Sequence, residues 1–414
     1  MRRDSNISTR GFSLIELMVA LALGLMITAA AVKLYSTGMD ATWVIQQRAE
    51  MQQDLRAAED MMLKDISLAG AGLTLLTGES VALPNGPTGA PIYGCSPGPA
   101  CPPNGAVNYP SIGGGSPTLF PIMPGFALGI TPPGSATRSD LITVVYSDPN
   151  LALNCYSGAV NPAVGGGATA TDNAISFNAT GNILTFTAPN NVPSLPAGCS
   201  LPPNITYPQA LNNTVNGLAA GDLVLFGPLG TAAAVGEVTT VTPANPGNAP
   251  AVPGSQYTIA FAVGDTLNMN QAGQVNDLTT QFPFPAGGGQ VANLVANRIY
   301  VITYYLQNWA DASGYTTTIL YRQVNGQPAV PLVDNIANMQ FTYDTYDSAG
   351  ALLSGTQVPA GDSPNLIRKV NIAHLTIHGQ IYGTKSSLMA TQGFQSFDVQ
   401  TSISTRNMSY NNRY

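Results

Sequence analysis

The sequence predicts an α+β protein in which one long amino-terminal helix, with a membrane half and an amphipathic half, packs on a carboxyl-terminal antiparallel β-rich domain. Three observations support this prediction. An almost uncharged apolar run begins at residue 12, helical spacing of apolar residues continues to residue 69, and segments rich in β-branched and aromatic residues follow, separated by turn residues. Since no second helical run of comparable length follows, the sheets are expected to pack on the amphipathic half of the helix.

The apolar run extends over 21 residues from Phe12 to Val32, and Glu16 is its one charged residue. As a helix it would be about 31 Å long, which is enough to cross the hydrocarbon core of a bilayer. An ionisable group in such a segment costs about 2 to 3 kcal/mol, so Glu16 is expected to be functional and to have a partner. Cleavage after Gly11 would supply one, because the new α-amino group of Phe12 would be protonated and would lie one helical turn from Glu16 on the same face.

The residues around this junction resemble the amino-terminal signature of the type IV prepilins and type II secretion pseudopilins. In that family a short basic leader ends in glycine and is followed by Phe-Ser/Thr-Leu-Ile-Glu and a long apolar helix. The resemblance implies that a membrane-embedded prepilin peptidase cleaves between Gly11 and Phe12 and methylates the amino group of Phe12. It also implies that Glu16 pairs with the amino terminus of a neighbouring subunit during filament assembly. The leader here is residues 1–11, with the charged residues Arg2, Arg3, Asp4 and Arg10.

Two other interpretations of the apolar run compete with this one. A secretory signal could be cleaved after Ala31, because Ala29, Ala30 and Ala31 fit the small-residue pattern of such sites, and a soluble exported protein would result. Against it, the run is longer than the usual apolar region of a signal peptide, about 7 to 15 residues, and contains Glu16. A plain membrane anchor is the second alternative, and it leaves Glu16 unexplained.

Charge indicates both the class of partner and the topology. The full chain has a formal charge of −7, and removal of the leader, with its three arginines and one aspartate, changes this to −9. So acidic a chain argues against directly bound nucleic acid. The arginines before the apolar run keep the amino end cytoplasmic, so the chain after Val32 is expected on the periplasmic side of the inner membrane, as a single-pass protein. The resemblance implies that the mature subunit then enters an extracellular pilus.

Four cysteines fit an oxidising compartment. Three connectivities are open, and pairing of nearest neighbours would join Cys95 with Cys101 and Cys155 with Cys199. In the chain-entropy model the shorter loop would contribute about 2 kcal/mol and the longer one about 4 kcal/mol. Four free buried thiols are the alternative.

Helical spacing continues beyond the membrane segment. Gly70 and Gly72 are expected to end the helix, and Gly24 and Gly38 are candidate weak points within it. Unbroken from residue 12 to residue 69, the helix would be about 87 Å long. The apolar residues that recur at spacings of three, four or seven are Val44, Met51, Leu55, Ala58, Met62, Ile66 and Ala69.

Residues 84–134 contain 13 prolines and 11 glycines, which are too many for long helices or central strands. The sequence therefore predicts a long irregular excursion. The expected organisation is a leader at 1–11, a transmembrane and assembly helix at 12–35, its amphipathic continuation at 36–72, the Pro/Gly-rich excursion at 73–136 and the β-rich extracytoplasmic domain at 137–414.

Nine segments beyond the excursion have the composition and alternation of β-strands. They are Leu141–Tyr146, Ile183–Thr187, Leu223–Phe226, Tyr257–Phe261, Ile299–Leu306, Thr316–Arg322, Met339–Tyr343, Val370–Ile377 and Phe397–Ser404. This part of the chain also resembles the PilW-like minor pilins through short motifs that occur in the same order. The motifs are residues 138–146, 221–225, 304–306, 320–322, 332–340 and 405–407. The Pro/Gly-rich region is longer than is expected for that family.

Motifs for chemistry are few. Residues 94–98 formally match G-x-S-x-G, but a nucleophile elbow needs a backbone N–H from the residue after serine, and that residue is Pro97. We therefore expect a loop there and no enzyme. Residues 379–386 contain a lysine but lack the spacing of a phosphate-binding loop, so no cofactor is expected.

The sequence contains two pairs of possible metal ligands. His374 and His378 lie in an alternating segment that predicts a strand, where residues four apart share a face but are about 13 Å apart, too far to share a metal ion. On a helix they could share one, which is the alternative. Asp344 and Asp347 could join a calcium site but lack EF-hand spacing, so a solvated turn is the prediction.

The resemblance therefore implies a minor pilin of a type IV pilus that takes part in the initiation of pilus assembly or in a tip complex. Its expected partners are prepilin peptidase, other minor and major pilins and the inner-membrane assembly platform. A minor pseudopilin of a type II secretion system is the alternative within the same class. A pilus-borne adhesin or DNA-uptake component, with the excursion at residues 84–134 as the contact surface, is the alternative from another class.

Overall fold

The computed structural model describes residues 11–73, 119–133, 135–152, 176–177, 182–187, 217–228, 234–242, 256–265, 269–270, 289–290, 294–310, 312, 316–346, 349–357, 366–379 and 395–405. The chain divides into two units. One consists of residues 1–53 with 379–395, and the other of residues 54–378 with 396–414.

One helix, α1, occupies Leu14–Ser67 in the described part of the chain. It is long and apolar enough to cross a membrane. The two candidate weak points do not interrupt it, because Gly24 and Gly38 both lie within continuous helix. Their carbonyl oxygens accept the hydroxyl protons of Thr28 at 2.7 Å and Thr42 at 2.9 Å. The helix is therefore continuous at Gly24 and at Gly38.

The predicted glycine stop after the helix is confirmed. The helix ends at Ser67, and Gly70 and Gly72 then adopt left-handed backbone conformations with φ of 76° and 68°. Such angles suit glycine, which has no Cβ. The turn is attached to the neighbouring strand by two backbone hydrogen bonds, from Gly70 N to Val145 O at 2.9 Å and from Ser147 N to Ala71 O at 2.8 Å.

Sixteen strands in the described residues form three antiparallel sheets. In the first sheet the order is β1-β2-β10-β11-β12, and β5 pairs with both β10 and β6. Its strands are β1 Ile122–Gly125, β2 Leu141–Ala152, β5 Leu223–Pro228, β6 Ala234–Glu237, β10 Leu294–Ala310, β11 Thr316–Val324 and β12 Val330–Val333.

The second sheet has the order β14-β13-β15-β16 and the third the order β7-β8-β4-β3-β9. The strands of the second are β13 Ile336–Tyr346, β14 Leu352–Thr356, β15 Ile367–Gly379 and β16 Gln395–Ser404. Those of the third are β3 Ser176–Phe177, β4 Ile183–Thr187, β7 Thr240–Thr242, β8 Gln256–Ala260 and β9 Gly289–Gln290. The predicted α+β class, with a long helix followed by antiparallel sheets, is confirmed, and each of the nine predicted segments coincides with a strand.

Both faces of the first sheet are buried. On one face, alternate residues such as Leu141, Val145, Val301 and Tyr305 belong to an apolar core with Leu73, Leu119, Phe120, Met123, Leu128 and Met269. Because neighbouring residues in a strand point to opposite faces, Ile142, Val144, Ile302 and Tyr304 point the other way, and all four are buried. That second face meets the last turns of α1, since the Tyr304 hydroxyl reaches Asp65.

Asp140 joins the first sheet to the second. Its backbone N–H donates to Met339 O at 2.9 Å, and one carboxylate oxygen accepts from Phe341 N at 2.9 Å, both partners lying in β13. The other oxygen accepts from Ala127 N at 2.8 Å. Burial raises the pKa of Asp140 to about 6, although the bonds from Ala127 and Phe341 oppose the shift. A single buried carboxylate therefore ties together two sheets and a turn.

The prediction of a solvated turn at Asp344 is wrong. Asp344 lies inside β13, where its register partner is Lys369 of β15. Its carboxylate accepts from Gly355 N at 3.0 Å and from the Asn371 amide at 3.2 Å. These bonds link β13 to the edge strand β14 on one side and to β15 on the other, which is a role in sheet pairing. Asp347 lies outside the described residues.

Candidate functional site

The start of α1 is a capping box. The Ser13 hydroxyl oxygen accepts from Ile15 N at 3.3 Å, and the Glu16 carboxylate accepts from Ser13 N at 3.0 Å. Ser13 thus occupies the N-cap position and Glu16 the third helical position, which is the S-x-x-E arrangement that satisfies two otherwise unpaired N–H groups. The negative charge of Glu16 also lies at the end of the helix where the macrodipole favours an anion.

Gly11 and Phe12 precede this cap as exposed chain outside the helix. The Phe12 side chain is 84% exposed, and a Cβ added to Gly11 would meet nothing within 4 Å. The peptide bond between them is accordingly open to an enzyme that acts on it. The predicted junction residues Gly11 and Phe12 thus directly precede the helix start that contains Glu16, and the partner of Glu16 in the uncleaved chain is the backbone N–H of Ser13. Pairing of Glu16 with an amine stays a prediction.

Ser13 is the functional residue that the sequence reasoning overlooked. The signal was present, because serine followed three residues later by glutamate immediately before an apolar run is the sequence signature of a capping box. The motif was interpreted through Glu16 alone, as a charge that needs a partner. The geometry adds that Ser13 aims the carboxylate back over the first turn of the helix, towards the Gly11–Phe12 junction.

A second polar cluster lies at the other end of α1. The buried Asp65 carboxylate accepts from the Tyr304 hydroxyl at 2.6 Å and from Arg322 Nε at 2.8 Å. Burial and the charge of Asp65 raise the pKa of Tyr304. Burial alone would lower the pKa of Arg322, but the hydrogen bond and charge of Asp65 raise it instead. Arg322 therefore stays charged and Tyr304 protonated, so the cluster has the character of a structural ion pair.

A third cluster connects strands of the first sheet. The Arg298 guanidinium forms an ion pair with Asp148, lies 3.7 Å from Asp222 and donates to the carbonyl of Gly217. The Tyr300 hydroxyl also donates to Asp148, at 3.2 Å. Burial raises the pKa of Asp222, although Ala219 N and Arg298 act against it. The guanidinium thus reaches acceptors in β2 and in the segment that leads into β5, an arrangement that holds these parts of the sheet together.

His374 and Asp398 form a pair on the second sheet. His374 Nδ1 lies 2.9 Å from the Asp398 carboxylate, which also accepts from the Thr376 hydroxyl at 2.8 Å and from the Gln400 amide at 3.1 Å. Burial alone would raise the pKa of Asp398, but the hydrogen bonds from His374, Gln400 and Thr376 lower it below its usual value. The predicted strand at His374 is confirmed, and the side chain of His378 lies outside the described residues.

Within the part of the chain that the structure describes, no group of three or more His, Cys, Asp or Glu side chains could hold a metal ion. The predicted disulfide partners Cys95, Cys101, Cys155 and Cys199 lie outside the described residues, as do residues 94–98 with the formal G-x-S-x-G match. Their pairing stays a prediction.

Comparison with known proteins identifies the amino-terminal motif. Residues 8–32 match the family model described as the prokaryotic N-terminal methylation motif. The chain thus carries the motif of the type IV pilin and pseudopilin superfamily, whose members are processed by prepilin peptidase. The match covers the leader junction, the capping box and the apolar helix. No curated protein and no solved structure matches the chain.

Proposed function

We propose that this chain is a minor pilin of a type IV pilus, cleaved between Gly11 and Phe12, N-methylated at Phe12 and used at the initiation of pilus assembly or in a tip complex. The observation that supports this proposal is the junction itself. An exposed Gly11–Phe12 bond stands directly before a capped helix whose third residue is Glu16 and whose next turns are apolar and uncharged. The motif and the apolar helix fit anchoring in the inner membrane before assembly.

Cleavage would change the chemistry at this end of the helix. It converts the uncharged amide nitrogen of Phe12 into an amine that is protonated at neutral pH. The Glu16 carboxylate already points towards that end, because Ser13 N holds it there. Within a membrane the two charges would neutralise each other, either in one subunit or between neighbours. Methylation keeps the positive charge of the amine, so pairing would persist in the mature subunit.

Assignment as a minor subunit rests on the part beyond the helix. The described residues form three antiparallel sheets, and five of the six motifs that resemble the PilW-like minor pilins overlap their strands. Most of the sixth, at residues 405–407, lies outside the described residues. Residues 138–146 lead into and form β2, residues 304–306 and 320–322 belong to β10 and β11, and residues 332–340 connect β12 to β13. The motifs thus occupy the centre of the first sheet and the step to the second, where packing constrains sequence most. Prepilin peptidase, other pilins and the assembly platform are the proposed partners.

A minor pseudopilin of a type II secretion system is the second candidate, and the amino-terminal motif favours it equally. The deciding experiment deletes the gene and measures two outputs in the same cells: surface pili, counted by electron microscopy, and secreted proteins, assayed in the medium. Loss of pili with normal secretion supports the proposal. Loss of secretion with normal pili would assign the chain to the secretion system. A complementing copy of the gene controls for effects on neighbouring genes.

An adhesive role would leave a different result. Filaments would then form in normal number in the deletion strain and would fail only to attach. A strain that expresses a chain lacking residues 84–118 tests this, because it removes the larger part of the Pro/Gly-rich excursion at residues 84–134 and keeps β1 and the helix. Normal pili with lost attachment would favour the adhesin, whereas unchanged attachment would exclude that segment as the contact surface.

A further inference from the structure

β16 is the longest terminal strand of the three sheets in the described part of the chain. It has 10 residues and pairs with β15 alone among the described strands. The other strands that end a described sheet, β1, β6, β7, β9, β12 and β14, are each half that length or shorter. An edge strand presents a row of unpaired N–H and C=O groups, which is a template for another strand. β16 therefore offers the longest template for strand addition.

β16 also lacks most of the features that protect an edge strand. Residues 395–404 contain no proline, lysine or arginine, whereas the edge strands β1 and β12 of the first sheet contain Pro124 and Pro331. Prolines and exposed charges are devices by which edge strands avoid pairing with other chains. Asp398 is the one charged residue of β16, and its carboxylate is already bonded to three neighbouring side chains.

The backbone groups of β16 that point away from β15 belong to its even-numbered residues. Thr405 N donates to Arg368 O of β15 at 3.0 Å, so the odd-numbered residues turn their N–H and C=O groups towards β15. These groups alternate between the two edges of an antiparallel strand. The outward groups are accordingly those of Ser396, Asp398, Gln400, Ser402 and Ser404, whose side chains are all exposed.

The opposite face of β16 is apolar and only partly covered. Phe397, Val399 and Ile403 are half-buried. On the adjacent strand β15, the apolar residues Val370 and Leu375 are fully buried. The apolar layer of the second sheet is thus complete at β15 and incomplete at β16. A further strand beside β16 would satisfy its open backbone groups and cover these apolar side chains as well.

We propose that the outer edge of β16 pairs with β16 of a second copy of this chain, antiparallel and about a two-fold axis at Gln400. The outward backbone groups of the two strands then meet as hydrogen-bonded pairs. Asp398 lies opposite Ser402 of the second copy, whose hydroxyl can donate to it. A register centred on Asp398 would instead place two carboxylates face to face, which is unfavourable. On the apolar face Phe397 lies opposite Ile403, and an aromatic side chain beside a β-branched one stabilises antiparallel pairing.

This self-complementarity is the reason for choosing a second copy as the occupant. The same sequence supplies the hydrogen-bonded pairs, the apolar pairs and the avoidance of like charges, without any other protein. A strand of a different protein is the alternative occupant, and the test below separates the two because it uses the purified chain alone. The inference concerns the second sheet and does not rest on the proposed function.

The register is tested on the full chain in detergent with one spin label per chain. The label is a noncanonical residue that replaces either Ser396 or Ser404, which are both exposed, so the native cysteines stay untouched. In the proposed register Ser396 lies opposite Ser404 of the second copy, and each label is eight positions from its equivalent. Pulsed spectroscopy should therefore give about 27 Å for both labels. A register shifted by one pair would lengthen one distance by about 7 Å and shorten the other by as much.

Variants at the two-fold axis test the contact itself. Gln400→Pro should raise the dissociation constant of the dimer, measured by light scattering, by about 30-fold, because two main-chain hydrogen bonds are lost. The strand itself tolerates the proline, since that N–H faces away from β15. Gln400→Ala keeps the N–H and is the matched control, with a dissociation constant within about twofold of the wild type.

A second variant keeps the test valid if Gln400→Pro fails to fold. Gln400→Lys places two like charges opposite each other on the exposed face and should weaken the dimer by up to about fivefold. Its control is Gln340→Lys, which adds the same charge on the inner strand β13 and should leave the dimer unchanged.

A dimer with two equal distances that is weakened by the Gln400 variants and not by their controls supports the proposal. A chain that is monomeric at every concentration would overturn it, and a strand of another protein would then be the occupant to seek. Unequal distances would also overturn it, as would a dimer that survives both Gln400→Pro and Gln400→Lys, because the copies would then meet through another surface, such as α1. No result affects the proposed function, since no filament is measured.

Discussion

Glu16 accepts a hydrogen bond from the backbone nitrogen of Ser13 at 3.0 Å, so the one charged side chain of the apolar run is held against the first turn of its own helix. The carboxylate is therefore partly compensated even before the leader is removed. The same hydrogen bond directs the Glu16 carboxylate towards the Gly11–Phe12 peptide bond, which is proposed to be cleaved. Helix capping and the proposed role in filament assembly thus involve the same side chain, and an informative variant must separate the two.

The first prediction concerns the leader junction. Gly11→Val should leave an uncleaved precursor in the membrane, because the peptidase would meet a β-branched side chain directly before the bond it cleaves. Within the chain itself a Cβ at Gly11 would meet nothing within 4 Å. Intact mass and amino-terminal peptide mapping check this. The wild-type chain should begin with N-methylphenylalanine at Phe12. A wild-type chain that begins at Val32 would support the secretory-signal alternative, and efficient cleavage of Gly11→Val would remove the glycine requirement.

The second prediction concerns the cysteines. We expect two disulfides in the exported domain, and the proposed pairs are Cys95 with Cys101 and Cys155 with Cys199. The second pair should contribute more stability, about 4 against about 2 kcal/mol, because it closes the longer loop. Peptide mapping under non-reducing conditions assigns the pairs. Four free thiols in freshly exported protein would contradict the framework.

The third prediction is that the folding stability depends on pH because of Asp140. Burial raises the pKa of this carboxyl to about 6, above its value in the unfolded chain, so the folded protein binds more protons between the two values. The stability from this group is complete below its unfolded pKa, and it is lost as the pH rises through about 6, by at most about 3 kcal/mol. Asp140→Asn cannot titrate, and it should therefore remove this part of the slope.

The pH dependence from Asp140 is measured by denaturant unfolding of the full chain in detergent between pH 4 and pH 7.5. The comparison is between slopes and not between absolute stabilities, because an asparagine amide would face one of the two backbone N–H groups and lower stability at every pH. Asp222 also has a raised pKa and contributes to both slopes equally. Identical slopes in the wild type and Asp140→Asn would show that Asp140 titrates alike in the folded and unfolded chains.

Much of the sheet structure could be predicted from the sequence, and the failures have physical reasons. The nine predicted strands alternate or contain runs of β-branched residues, so their pattern is local. Seven strands have no counterpart among the predicted segments: β1, β3, β6, β7, β9, β12 and β14. Each of them is short, and β1 and β12 also contain a proline, Pro124 or Pro331, at an edge of the first sheet, where a missing N–H is tolerated. The pair Asp344 and Asp347 lacks EF-hand spacing, which left a solvated turn as the prediction, whereas tertiary pairing with Lys369 keeps Asp344 in a strand.

The ion pairs could not have been found in the same way. Asp65 and Arg322 are separated by 257 residues, and Arg298 and Asp148 by 150, so only the fold brings each pair together. A pattern search records Asp65 as one more polar residue in an amphipathic helix. The capping box is the opposite case, because all its atoms lie within four residues and the S-x-x-E signature was available from the start.

The last prediction separates the two roles of Glu16 with a pair of variants. Glu16→Leu removes both the cap and the charge. Glu16→Gln keeps an oxygen that can accept from Ser13 N, since glutamine also completes a capping box, but it cannot neutralise an amine. If the charge is what assembly needs, both variants should insert normally and both should produce few filaments. An unmatched amine in the membrane costs about 2 to 3 kcal/mol, which corresponds to incorporation reduced by about 30- to 140-fold.

The measurements are the membrane level of each variant, the protease resistance of the exported domain and the number of filaments per cell. Ser13→Ala is the matched control for the cap, because it weakens the helix start by about 1 kcal/mol and keeps the Glu16 charge. Normal filaments with Glu16→Gln, together with few filaments in Glu16→Leu and Ser13→Ala, would assign Glu16 to helix capping. Stable protein with few filaments in both Glu16 variants, and near-normal filaments in Ser13→Ala, is the expected result, because charge pairing and not the cap would then limit assembly.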